Sequence, residues 1–304
     1  DGRPGAPRLV DVTRSSAPGL DETGMVSGAA WADLEDDGDP DLITAAEWGP
    51  VTVWTNDGGR FMASPIDGTD GLWQSIEVAD LDADGDLDIV AANWGLNSRL
   101  QVGEGPLRLH VGDFDGNGRN DPLLSVYNRG RSLPFALRNE LVGQLPSLKR
   151  EYLTPSTYVG KTVEDLLTPA QLERAEVYQA SQLASVALVN DGGWSVRRLP
   201  FEVQLAPMNA ALVLDADRDG TPDLLLAGNR DDLKPDLGRQ MSSPGVFLRG
   251  TNGGLAPSRS GFRVPGQTRH LVALEVGGRT VVVAVRNDAA PVVFALEDAA
   301  VAAR

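Results

Sequence analysis

The sequence predicts an all-β fold, a β-propeller of four-stranded antiparallel blades, on three observations. A nine-residue pattern, Asp-x-Asp-x-Asp-Gly-x-x-Asp with small substitutions, occurs four times, and each copy runs into an apolar segment. Apolar strands that end in Asn/Asp-Gly turns recur between those copies. No apolar run exceeds the five residues of Val281 to Val285, strand-sized and well short of the ~18 residues of a membrane-spanning helix.

The four nonapeptides are Asp33 to Asp41, Asp80 to Asp88, Asp113 to Asp121 and Asp215 to Asp223. Oxygen ligands at alternate positions suit a hard cation such as Ca2+. Positions 1, 3 and 5 are Asp33, Glu35 and Asp37; Asp80, Asp82 and Asp84; Asp113, Asp115 and Asn117; and Asp215, Asp217 and Asp219. Their side chains are expected to converge on one ion while the glycine at position 6 allows the sharp turn. Position 7 offers only its carbonyl, so Asp39, Asp86, Arg119 and Thr221 can all stand there. Position 9 (Asp41, Asp88, Asp121 or Asp223) closes the shell at the first residue of a strand. An EF-hand would carry a glutamate at position 12, where this chain has Thr44, Ala91, Leu124 and Leu226. These are therefore loop-to-strand sites, about four ions per chain. The third, with one carboxylate fewer, is expected to bind most weakly.

Charge agrees with this assignment. The nonapeptides hold 18 of the 43 acidic residues and only two basic ones, Arg119 and Arg218, so the net charge of −16 lies entirely within them. Carboxylates this crowded repel one another unless a cation sits among them.

Three segments carry the hairpin signal: Val51 to Phe61, Val186 to Val196 and Val246 to Leu255. One repeating unit is then strand, acidic loop, strand, connection, strand, turn, strand. About five blades are countable, within a range of five to seven, in a single domain over residues 1–304. They cover 28–63, 75–105, a split third blade, 208–258 and 269–297. The third blade takes its first two strands from around Asp113–Asp121 and its last two from around Asn190–Gly193. Between them, residues 136–182 are expected to form a helical insertion, because Thr162-Val-Glu-Asp165 and Thr168-Pro-Ala-Gln171 have the form of helix N-termini. The fifth blade lacks a strand, which Pro7 to Thr13 would supply, closing the ring and removing its exposed edges.

With these residues in view, the chain resembles the FG-GAP/VCBS repeat family, whose members include integrin α-subunit propellers. Gly24 to Leu34, Glu47-Trp-Gly-Pro50, Asn93 to Ser98, Gln144 to Lys149 and Gly228-Asn229 are similar to the repeat region of large secreted bacterial proteins. In those proteins the repeats accompany an ASPIC/UnbV domain, as in animal cartilage acidic protein. The resemblance runs from about Leu9 to Phe294, and no ASPIC/UnbV segment is recognised. It implies a calcium-bound extracellular propeller and no particular activity.

No catalytic constellation is visible, and an enzyme is not expected. The two histidines, His110 and His270, lie far apart in apolar strand contexts, and no nucleophile elbow, zinc-protease or phosphate-loop motif occurs. Cysteine is absent, which excludes disulfides and thiolate chemistry. A net charge of −16 with 24 scattered arginines excludes a nucleic-acid partner. Isolated loops of this type bind calcium at roughly 10⁻⁴ to 10⁻³ M in extracellular modules, so the chain is expected to be secreted or surface-exposed. The expectation is a calcium-stabilised propeller acting as a binding or assembly module, with a protein partner or self-assembly. The alternative is a propeller that binds or processes carbohydrate. Trp48 and Trp94 are then the foremost candidates for exposure, with Glu47, Asn93, Asn128 and Asn229 near one mouth of the ring.

Overall fold

A computed structural model describes residues 8–235, 237–251 and 254–296, and within them the chain is all-β with few, short helices. The strands form five antiparallel sheets. The first comprises β1 (Met25–Ala32), β2 (Asp41–Gly49), β3 (Val51–Asp57) and β4 (Arg60–Pro65), with the short β5 (Gly71–Leu72) against β2. The second runs β6 (Ser75–Ala79), β7 (Asp88–Ala92), β12 (Val186–Asn190), β13 (Trp194–Arg198). The third, with β8 (Leu107–Gly112), β9 (Asp121–Asn128), β10 (Arg131–Pro134) and β11 (Glu176–Ala180), has the order β10-β9-β8-β11. The fourth runs β14 (Ala210–Leu214), β15 (Asp223–Ala227), β16 (Val246–Arg249), β17 (Ala256–Pro257), and the fifth β18 (Thr268–Val276), β19 (Arg279–Arg286), β20 (Val292–Ala295).

The acidic loops each join the first two strands of a sheet, and the apolar runs after the second and fourth loops are explained by burial on both faces. In β7, Ile89 and Ala91 pack toward Ile43, Ala45 and Val53 of the first sheet. Val90 and Ala92 pack toward Ala211, Leu224 and Leu226 of the fourth. The fourth sheet repeats the arrangement: Leu224 and Leu226 face the second sheet while Leu225 and Ala227 meet Leu271, Val282 and Ala284 of the fifth. A strand buried on both faces needs no polar alternation. The first, second, fourth and fifth sheets therefore stand face to face in a row. Their first strands β1, β6, β14 and β18 pack in succession. Within the fourth sheet the chain passes closest at Gly228, just after β15, where a Cβ would lie 1.8 Å from the Pro207 carbonyl oxygen ahead of β14, so only glycine fits.

Three expectations about strand placement are corrected. The strands flanking the Asn190–Gly193 turn belong to the second sheet, because Val186 to Leu188 pair with Ile89 to Ala91. The third sheet is thus inserted whole between β7 and β12. The segment 136–182 is not helical throughout. It contains α2 (Arg138–Gln144), α3 (Pro155–Tyr158), α4 (Val163–Leu166) and α5 (Pro169–Arg174), then β11, which completes the third sheet against β8. Both N-terminal signatures hold, with Thr162 and Thr168 side chains accepting from Asp165 and Gln171 N–H. Leu141, Leu145, Leu148, Val163 and Leu166 bury the helices against Phe114 and Leu123.

Finally, residues 8–13 do not complete the fifth sheet, and Pro7 lies outside the described residues. The Asp11 carboxylate accepts the Thr13 N–H at 2.9 Å and starts the helix α1 (Thr13–Ser16), which packs near β4 of the first sheet. The fifth sheet keeps three strands. Asn252 and Gly253 of the third hairpin signal, and Glu297 of the fifth blade, also lie outside the described residues.

Candidate metal centres

All four acidic loops share one hydrogen-bond wiring. The position-1 carboxylate accepts the N–H of the position-6 glycine: Gly38 to Asp33 at 2.8 Å, Gly85 to Asp80 at 3.1 Å, Gly118 to Asp113 at 2.8 Å and Gly220 to Asp215 at 3.0 Å. Position 5 accepts the N–H of position 7: Asp39 to Asp37, Asp86 to Asp84, Arg119 to Asn117 and Thr221 to Asp219. Two residues per loop are left-handed. The position-6 glycines have φ between 81° and 101°, and position 4 is also positive at Asp36, Ala83, Gly116 and Arg218. Aspartate and glycine tolerate that conformation at position 4 better than alanine or arginine do.

The position-9 aspartate does more than close a shell. Each is buried, and each accepts the N–H of position 2: Leu34 to Asp41, Leu81 to Asp88, Phe114 to Asp121 and Ala216 to Asp223. In three sheets its other oxygen accepts an N–H from the end of the third strand: Asn56 to Asp41 at 2.8 Å, Asn190 to Asp88 at 2.9 Å and Gly250 to Asp223 at 2.8 Å. The carboxylate thus ties loop to hairpin, while the position-2 side chain plugs the core beneath, as Leu81 and Phe114 do. Burial pushes the Asp88 and Asp223 carboxyls up from the ordinary carboxylate range, against the pull of those N–H groups.

Carboxylate oxygens of positions 1, 3 and 9 gather within 4.8 Å of one another in three loops: Asp80, Asp82 and Asp88; Asp113, Asp115 and Asp121; and Asp215, Asp217 and Asp223. Position 5 is not in these three groups, although in the second loop Asp84 lies within the same distance of Asp82. Asp33, Glu35 and Asp41 do not form such a group among the described residues. In the second loop Asp82 and Asp84 also approach Asp191, in the turn between β12 and β13. Sequence reading missed Asp191 because the chain brings it there only after the third sheet.

Do these residues fit a divalent cation? The donor set is all oxygen, as calcium and magnesium require. Asp80 Oδ1 and Asp82 Oδ1 are buried without a hydrogen-bond partner. A buried carboxylate oxygen without a donor is costly unless a cation meets it. Burial first, then Asp84 and Asp191, push the Asp82 carboxyl up. The fit is therefore good at the second loop. Part of the charge is met by arginines outside the pattern: Arg249 Nη2 lies 2.7 Å from Asp217 and 2.9 Å from Asp219, and Arg197 lies 3.6 Å from Asp82 and 3.1 Å from Asp191. Arg197 projects from β13 and Arg249 from the end of β16, a placement that spacing along the chain does not reveal.

Of the polar residues expected at one mouth of the ring, Asn93 and Asn229 are structural, while Asn128 is exposed at the end of β9. Asn93 is buried, donating to the Gln182 carbonyl and accepting from Leu72 and Trp94 N–H. Asn229, left-handed at φ 78°, donates to the Ser243 and Gly266 carbonyls. Trp94 is only 6% exposed and lies under the Arg230 guanidinium, which also reaches Glu47 at 3.4 Å. Trp48 is half-buried, and Trp31, 64% exposed beside Phe61, is the accessible indole instead.

One carboxyl outside the loops stands apart. Glu77, at the centre of β6, is half-buried and has no hydrogen-bond or ion-pair partner among the described residues, and burial pushes it up to about 7. A carboxyl whose folded pKa is raised binds more protons folded than unfolded between about 4.5 and 7, so stability falls as pH rises through that window. Glu77→Gln is expected to leave stability unchanged below pH 4 and to raise it by up to about 3 kcal/mol above pH 8. Denaturant midpoints of both proteins across that range check this; equal midpoints at high pH would show that Glu77 is solvated.

Comparison with known proteins adds little beyond the repeat itself. No curated protein matches the chain. Among solved structures, the V. cholerae biofilm matrix protein Bap1 shares 10% identity at a TM-score of 0.31, over 89% of this chain and 62% of that one, so the chain spans less than two thirds of its length. The structure of BBS1N in complex with ARL6DN shares 12% identity at a TM-score of 0.28, over 88% of this chain and 67% of that one. Residues 33–91, which hold the first two acidic loops, strands β2 to β6 and most of β7, match the FG-GAP-like repeat.

Proposed function

We propose that the chain is an extracellular calcium-stabilised β-propeller that works as a binding or assembly module, without enzymatic activity. The observation that carries the reading is the shared wiring of the four loops, with two buried carboxylate oxygens at the second loop that have no donor. Ca2+ bound by Asp80, Asp82 and Asp88, and by their counterparts in the other loops, would neutralise the loop charge and fix each first hairpin. The FG-GAP-like match over 33–91 and the face-to-face row of sheets support blades of a propeller. The finer likeness, to the repeat region of secreted ASPIC/UnbV-associated proteins, belongs to the same proposal. An extracellular site follows from the millimolar calcium that such loops need.

A second reading, carbohydrate recognition, is favoured by the exposed Trp31 set edge-on against Phe61, since an accessible indole can stack on a sugar ring. The two readings separate on an array of neutral and acidic polysaccharides probed with the calcium-loaded chain. The assembly reading expects no retention. Retention lost at least tenfold in Trp31→Ala would replace it with glycan binding.

A further inference from the structure

We infer that the fifth sheet is completed by a second copy of this chain, whose residues Arg8 to Val12 add as a strand along β20. The inference rests on the assembly reading above and names its contact.

The fifth sheet has two unmet surfaces. Its inner face packs Leu271, Val282 and Ala284 against the fourth sheet, as a sheet in this row should. Its outer face is equally apolar, yet Leu274, Val285 and Val293 stand 48%, 43% and 60% exposed there. Elsewhere in the row an apolar run of this kind marks a strand buried on both faces, as Ile89 to Ala92 show. A strand facing water would alternate with polar residues. Val281 to Val285 does not, so the sequence is that of a doubly covered strand. The edge is unmet as well: the other sheets of the row have a fourth strand outside the third, whereas the outer edge of β20 has no strand partner among the described residues. An exposed apolar edge strand is a template for pairing with another chain.

The complementary piece is in the same molecule. Arg8-Leu-Val-Asp-Val12 lies without regular structure ahead of α1, with Leu9 100%, Val10 62% and Val12 53% exposed. β-Branched and aliphatic residues in such a run favour a strand that covers apolar surface. Because Thr13 to Ser16 are held near the first sheet, the run is presented from the opposite end of the row to the fifth sheet. An unpaired strand at one end and an unpaired edge at the other are the two halves of an exchange between copies, closed as a dimer or propagating head to tail.

The test uses the whole chain in calcium. Light scattering on the eluting protein over a concentration series should show a dimer or larger species. Val10→Pro, which removes a backbone donor, should return it to monomer without lowering the melting temperature, since residue 10 is exposed. The chain lacks cysteine, so Leu9→Cys protein mixed with Val293→Cys protein should be joined by a short bismaleimide into a two-chain product. A wild-type chain that stays monomeric overturns the inference. So does a cross-link found only within a single Leu9→Cys/Val293→Cys chain, which would mean closure within one molecule. Assembly that survives Val10→Pro also overturns it, and in that case the assembly reading still stands.

Discussion

Removal of calcium is expected to lower the melting temperature by on the order of 20 °C. At free calcium a hundredfold above the dissociation constant, each native-only site adds about 2.7 kcal/mol, and four sites add on the order of 10 kcal/mol. For a chain of this size each kcal/mol moves the midpoint by a little under ~2 °C. The loss compounds, because an emptied loop also regains its carboxylate repulsion; the second loop alone sets Asp80, Asp82, Asp84, Asp88 and Asp191 together. Thermal unfolding in millimolar calcium and after EGTA, with bound metal counted, checks both quantities. About four ions are expected per chain, with the third loop emptying first, since Asn117 replaces a carboxylate there. Arg249 and Arg197 temper the effect in the fourth and second loops by holding part of the acidic charge without an ion. An unchanged melting curve with no bound metal would sink the calcium assignment.

What could be read from the sequence is what repeats locally. The nonapeptide fixes its own wiring within nine residues, so the loops, their left-handed glycines and the strands behind them follow from spacing alone. Pairing across long intervals does not. Nothing in Val186 to Asn190 says that it returns to Ile89 rather than to Leu123, because both partners are apolar strands following an acidic loop. That choice is made by burial: β7 needs cover on both faces, while the third sheet covers itself with α2 to α5. Trp94 escaped prediction for a related reason, since its cover, Arg230, arrives from the connection between β15 and β16. Pro7 to Thr13 has strand composition, yet the Asp11–Thr13 bond turns its end into a helix, a local contact prevailing over a composition signal. Position 9 was legible as a ligand and not as a tie, because its second partner lies up to 102 residues away.

That double duty sets up the sharpest mutational contrast. Asp88→Ala is expected to cost about 2–4 kcal/mol without calcium and more with it, because the ion is lost as well, whereas Asp84→Ala should matter only with calcium. Asp88 is fully buried and receives the Leu81 and Asn190 N–H groups, each at 2.9 Å. Deleting it strands two buried donors at about 1–3 kcal/mol apiece. Relief of repulsion from Asp82 and Asp84, which helps push the Asp88 carboxyl up, offsets part of that loss. The donors dominate, because both sit where β7, β12 and the loop meet and water cannot replace the lost acceptor. Asp84 is exposed and accepts only the Asp86 N–H within its own loop, so in EGTA its loss should fall within about 0.5 kcal/mol of the parent. Denaturant midpoints for the three proteins in calcium and in EGTA decide the matter. If Asp88→Ala matched the parent in EGTA, the aspartate would act through the ion alone, and the tie between the second loop and the Asn190 hairpin would carry no stability of its own.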